Sequence, residues 1–276
     1  MEIIVLVIVG FLSGTIGALV GLGGGIITVP ALLFLGSSTS LLDSITPQVA
    51  VGVSTIIMIF TGLSSTLAYM KHQTVDYKAG VIFFVGSGPG GIIGAHVNKI
   101  LDIHSFSLYF GLFMILIATI LFVKDRLKPL TFKPGKGKVI KTYSNKDGMQ
   151  TTYGYHPLVA ILISFIVGFS SGLFGIGGGT IIVPTMILLF FFPPHVAVAT
   201  SMFMVFLSSI TNSITHISLG NVNWLYALAL IPGAWFGAKF GAFINTRLKS
   251  RSIEHALKIV LILFGFRLVY QGITGQ

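Results

Sequence analysis

Gly21-Leu-Gly-Gly-Gly-Ile-Ile-Thr-Val-Pro30 is repeated half a chain later as Gly175-Ile-Gly-Gly-Gly-Thr-Ile-Ile-Val-Pro184. Each copy follows a long apolar segment, about 3–20 and 158–174, and opens a short one, about 26–35 and 180–192. Interrupted apolar segments at matching places in two halves mark the binding site of membrane transporters built from internal repeats. The rest of the chain agrees. Hydrophobic residues make up 54% of the 276 and charged residues 9%, and mean hydropathy is +0.94. Soluble domains carry roughly a quarter charged residues. Stretches such as 108–123 and 257–269 run apolar without the two-residue alternation of a membrane barrel strand, so the spans are helices.

The halves match beyond the glycines. Pro47-Gln-Val-Ala-Val-Gly-Val-Ser54 pairs with Pro194-His-Val-Ala-Val-Ala-Thr-Ser201, and Thr74-Val-Asp-Tyr77 with Asn221-Val-Asn-Trp224. The ladder Gly86, Gly90, Gly94 pairs with Gly233, Gly237, Gly241. Such self-similarity predicts a first membrane repeat over 1–130, a basic linker over 131–155 and a second repeat over 156–276. In each repeat a glycine-broken hairpin precedes three full spans, expected at 47–70, 79–97 and 106–123, then at 195–217, 225–244 and 256–269. The first apolar run lacks the basic leader of a cleaved signal and is expected to stay as a membrane segment.

The net charge of +10 has a topological origin. Eight of the 17 Lys and Arg fall in 124–146, between apolar runs, which places that linker in the cytoplasm and argues against nucleic acid as a partner. The other basic loops reach the same side only if each glycine hairpin enters and leaves by one face. The short segments are too short to cross about 30 Å of hydrocarbon alone. The expectation is therefore two inverted repeats in an all-α polytopic membrane protein.

Gly23, Gly24, Gly25, Gly177, Gly178 and Gly179 let the backbone turn through positive φ and show successive N–H groups at a helix start. With the helix dipole, that arrangement attracts an anion without any buried cation. No Gly-Lys-Ser/Thr follows, so neither copy is a nucleotide loop. Ser54, Thr61 and Ser65 share one helix face, repeated by Ser201, Ser208 and Asn212; either they line a polar path or they pack helices. Gln48 and His195 open matched spans, and His195 is a possible proton-coupling group. His216, matched by Tyr69, reads as an interfacial residue, and Lys239 as a snorkelling one. All seven carboxylates fall in loops or termini. That leaves no mid-membrane acid for a proton relay, a metal or a cation. With no cysteine either, the residues offer no metal site, cofactor site or catalytic centre.

In combination these motifs resemble the TauE/SafE family of sulfite exporters, along nearly the whole chain. The resemblance implies a carrier in the bacterial plasma membrane that moves sulfite or an organosulfonate such as sulfoacetate outward. Other small anions, such as carboxylates, inward transport and an anion channel are the competing readings; a membrane enzyme would need a reactive centre that the sequence does not offer. The expected partners are the substrate anion and the lipid bilayer.

Overall fold

The computed structural model describes residues 2–38, 45–126, 139–144, 150–247 and 251–274. Asp43, Asp147, Lys249 and most of the basic linker lie outside them. The first half comprises α1 (Glu2–Val20), α2 (Gly25–Ser38), α3 (Pro47–Met70), α4 (Tyr77–Ile100) and α5 (Ile103–Arg126). The second comprises α6 (Pro157–Phe174), α7 (Gly179–Leu188), α8 (Pro194–Ser218), α9 (Trp224–Arg247) and α10 (Arg251–Thr274). Seven of these helices are long and apolar enough to span a membrane. The protein is an all-α, multi-pass membrane protein. Its outer surface is apolar, with Ile8, Val85, Phe236 and Leu263 about half exposed or more, as a surface facing lipid tails should be.

Each break has a chemical cause. Proline opens α3, α6 and α8, where its missing N–H costs nothing. Asp76 caps α4 by accepting from the Ala79 N–H at 3.0 Å. Its matched residue Asn223 caps α9 through the Leu225 N–H, also at 3.0 Å. Pro30 and Pro184 sit inside α2 and α7. There they leave the carbonyls four residues earlier, those of Ile26 and Thr180, without the usual helical partner.

The helices pair across the halves. Helix α1 packs along α9, α6 along α4, α5 along α10, and α3 against α8. The ladders are the cause. A Cβ on Gly86, Gly90 or Gly94 would collide with the carbonyls of Ile161, Phe165 and Phe169 in α6. A Cβ on Gly233, Gly237 or Gly241 would collide with those of Val7, Phe11 and Thr15 in α1. Without side chains at these points the backbones touch, the arrangement that holds membrane helices together where no hydrophobic force acts between them. Helices α3 and α8 form the centre and are the most deeply buried of the long helices.

The linker is not all loop. Val139–Ser144 (β1) and Gln150–Tyr155 (β2) form an antiparallel hairpin. Tyr153 and Tyr155 insert among Phe83, Phe190 and Phe192. Lys141 lies 2.6 Å from the Asp76 carboxylate and the Tyr153 hydroxyl donates to the same group at 3.0 Å. Burial, and next the Asp76 charge, raise both tyrosines above the ordinary phenol range. The Gly154 N–H donates to Phe190 O at 3.1 Å, so the chain entering α6 and the chain leaving α7 meet at one end of the bundle.

Candidate functional site

Helices α1 and α6 end in the glycine loops, and the two loops meet. A Cβ on Gly23 would sit 3.6 Å from the Gly177 Cα. A Cβ on Gly25 would strike Gly175 O, and one on Gly179 would strike Gly21 O. Gly23 and Gly177 hold φ of +86° and +78°, which side-chain-bearing residues rarely adopt. The stretches 21–26 and 175–180 are buried throughout.

A broken helix leaves unpaired carbonyls at one end and unpaired N–H groups at the next start. Here the carbonyls are covered by side chains. Tyr69 donates to Ala18 O at 2.8 Å and Asn245 to Leu19 O at 2.6 Å. Ser201 donates to Gly21 O at 2.9 Å and Thr61 to Gly23 O at 2.8 Å. In the other loop His216 Nε2–H donates to Gly172 O at 3.0 Å, a tautomer that lets Nδ1 accept from Asn221 at 3.2 Å. Asn98 donates to Leu173 O at 2.8 Å and Ser54 to Gly175 O at 2.9 Å.

Ala18 and Gly172, Leu19 and Leu173, and Gly21 and Gly175 share the offset of the glycine motif. Their caps share the offset of the other matches. These three caps occur in both halves; the fourth, Thr61 on Gly23 O, does not recur, because the matched Ser208 bonds within its own helix.

The N–H groups are treated differently. Those of Leu22 and Gly23 turn back to Gly17 O, and that of Gly175 to Ser171 O. Those of Gly24, Gly25 and Ile26, and of Gly177, Gly178, Gly179 and Thr180, find no acceptor among the described residues. Buried N–H groups are nearly always paired in proteins. Two clusters of such donors at the positive ends of α2 and α7 are suited to a hydrogen-bond acceptor, and an anion would gain from the helix dipoles as well.

Of the residues singled out in the sequence, Gly23, Gly24, Gly25, Gly177, Gly178, Gly179, Ser54, Thr61 and Ser201 come together here. The hydroxyls, however, cover carbonyls and do not line an open path. Ser65 and Ser208 bond within their own helices. Asn212 stands beside the cluster, donating to Ser171 Oγ at 3.2 Å while its buried Oδ1 has no partner. Gln48 and His195 stand at opposite ends of the bundle: Gln48 donates to Leu101 O at 2.7 Å, and His195 Nδ1 faces Asn245 Oδ1 at 3.3 Å. His216, expected at an interface, is fully buried.

Sequence reasoning passed over Asn98 and Asn245, although their shared offset was there to be read. It also passed over two cations of α10. Lys258 is buried with its ammonium 5.1 Å from the Phe122 ring centre, and Arg267 stacks 4.3 Å over Phe34. Single cations inside long apolar runs leave no repeat signal.

The profile of the family described as sulfite exporter TauE/SafE matches residues 6–268. The chain is 56% identical over 273 residues to "Probable membrane transporter protein YunE" of Bacillus subtilis, covering 99% of both chains. It is 28% identical to "Probable membrane transporter protein MJ0441" of Methanocaldococcus jannaschii, covering 94% of this chain and 92% of the relative. Over 124 residues, 45% of this chain and 28% of the relative, it is 30% identical to "Sulfite exporter TauE/SafE family protein 6" of Arabidopsis thaliana. No solved structure matches.

Proposed function

The chain belongs to the sulfite exporter TauE/SafE family, and we propose that it carries a small anion on the bare N–H groups of its two glycine loops. It is a membrane transporter; cargo and direction are the proposal. The observation that carries this reading is the unequal treatment of the loop termini, with carbonyls covered by Tyr69, Asn245, Ser201, His216, Asn98 and Ser54 and donors left bare. A set of fixed N–H donors suits an oxyanion with several acceptor oxygens. Sulfite and organosulfonates such as sulfoacetate present such oxygens and accord with the family's name.

The loops touch, so substrate enters only when they part. With the two halves as inverted repeats, rocking of one against the other would open the same contact first to one side and then to the other. The covering hydroxyls of Ser54 and Ser201 reach across the halves and would break and re-form in each cycle. At an inside-negative potential anion export is downhill by roughly 2.3 kcal/mol per charge per 100 mV. No chemical step is needed, and the protein acts as a permease, not an enzyme.

The test is flux in liposomes with an imposed potential, comparing labelled sulfite and sulfoacetate with acetate. Saturable flux of the sulfur oxyanions, abolished by Gly24→Leu with Gly178→Leu, is the expected result. Undiminished flux in that double variant would remove the glycine loops from the site. Flux that rises with concentration without saturating would identify a channel.

A further inference from the structure

We propose that the groove between α3 and α9, at the end of the bundle that carries the linker hairpin, binds an anionic phospholipid. The groove has a volume of about 480 Å³. Lys71, His72 and Lys239 line it together with Leu67, Trp235 and Phe243. Lys71 and Lys239 are exposed, and neither has a carboxylate within ion-pair distance among the described residues; the ion pair at this end joins Lys141 to Asp76. The Ser64 hydroxyl donates to Trp235 O at 2.8 Å, which ties the groove's two walls together.

Charge and apolarity are arranged in the manner of a lipid. Lys71 follows the last turn of α3, at headgroup level, while Lys239 stands two turns inside the end of α9 and must extend its ammonium outward to reach polar surroundings. A phosphodiester set between them answers both charges. The walls below are mostly apolar, and Leu67, 45% exposed, opens sideways where acyl chains lie. A free inorganic anion would have no use for those walls.

The internal repeat supplies a control. At the matched positions of the other end, Lys71 corresponds to Ser218, Lys239 to Ile92 and Trp235 to Gly88. Folding of the repeat therefore does not require these cations. They were placed at one end only, where juxtamembrane lysines attract anionic lipid. The groove includes no residue of either glycine loop, so this inference stands or falls apart from the proposed transport.

Native mass spectrometry of the purified protein tests it with phosphatidylglycerol, phosphatidylcholine and glycerol 3-phosphate as ligands. Phosphatidylglycerol should be retained in preference to phosphatidylcholine. Lys71→Gln and Lys239→Gln should each weaken retention roughly fivefold, and together about thirtyfold, while Lys239→Arg preserves it. Both single variants change exposed residues, so each gives a reading even if the double variant does not fold. Unchanged selectivity in both singles would overturn the proposal. Equal binding of glycerol 3-phosphate would overturn it too, showing a site for free anions.

Discussion

Asn245 and Asn98 perform matched tasks at opposite ends of α3, yet replacing each with leucine should cost different amounts. The Asn245 amide donates to Leu19 O at 2.6 Å and its oxygen faces His195 at 3.3 Å. Asn98 donates to Leu173 O at 2.8 Å, but its own buried Oδ1 has no partner. Leucine keeps the branching of asparagine but is bulkier, and because both sites are buried the added bulk is common to the two variants, leaving the polar balance to decide the difference. Asn245→Leu strands a buried carbonyl, at about 1–3 kcal/mol for the orphaned group, and removes a partner from His195. His195 is exposed and can turn elsewhere, so that second loss is small.

Asn98→Leu strands the Leu173 carbonyl in the same way but also abolishes a buried acceptor that was already unpaired. Because bonds between membrane helices average about 0.6 kcal/mol and reach about 1.7, we expect about 1.5 kcal/mol for Asn245→Leu and about 0.6 for Asn98→Leu. The two sites share no partner, so the double variant should equal the sum within about 0.5 kcal/mol. Reversible unfolding in mixed micelles reads all three values. An Asn98→Leu loss equal to or larger than that of Asn245→Leu would refute the reasoning.

The ladder offers a second contrast. Gly90→Ala drives a Cβ into the Phe165 carbonyl and should cost about 1–3 kcal/mol, whereas Gly88→Ala meets only the Phe84 ring at 3.1 Å, which can turn, and should melt near the wild type. At the hairpin, Lys141→Met leaves the Asp76 carboxylate buried without its cation. Asp76→Asn keeps an N-cap, as Asn223 does in the other half, and releases a lysine one-third exposed to water. Hydrogen exchange in 150–155 should therefore rise more in Lys141→Met. Tyr153 and Tyr155 titrate above the ordinary phenol range. Their folded pKa values exceed the unfolded value of about 10, so their contribution to stability is complete below that pH and is lost as pH rises above it. Tyrosinate absorbance together with hydrogen exchange should show the hairpin loosening only above about pH 10. Finally, Ser54→Ala with Ser201→Ala uncovers Gly175 O and Gly21 O beside the bare donors, and should lower anion flux several-fold in the liposome assay while leaving the fold intact.

Much of this was legible in the chain because membrane spans are coarse signals. The expected segment 47–70 and α3 coincide, and the other spans differ only by a few residues at ends where apolar residues give way to polar ones. The glycine loops were visible because the motif occurs twice. What the ladder could not say was which helix it touches: a seam of small residues announces close approach, and only the fold shows that α4 lies on α6 and α1 on α9. The hairpin escaped for a different reason. Its segment is basic and polar, which reads as solvated loop, while the alternation in Gln150-Thr-Thr-Tyr-Gly-Tyr155 is too short to stand out beside spans of more than 20 residues. Ser54, Thr61 and Ser201 were found by their shared face, but helical periodicity cannot distinguish a hydroxyl that meets substrate from one that covers a carbonyl.

That distinction bears on selectivity. Breaking a helix inside a membrane creates a negative end and a positive end together, so an unmodified break is as ready for a cation as for an anion. In this protein the negative ends are neutralised by donors from four different helices: Tyr69 and Thr61 on α3, Ser201 and His216 on α8, Asn98 on α4 and Asn245 on α9. None of these groups carries a fixed charge, so the cage gains no buried cation that would hold an anion too tightly to release. The positive ends keep their donors. On the proposed reading, a site built this way would gain its selectivity by subtraction, because seven of the loop carbonyls that could coordinate a cation already accept from side chains of the protein. It would also be releasable, because what remains is a set of backbone dipoles that would separate when the two loops part.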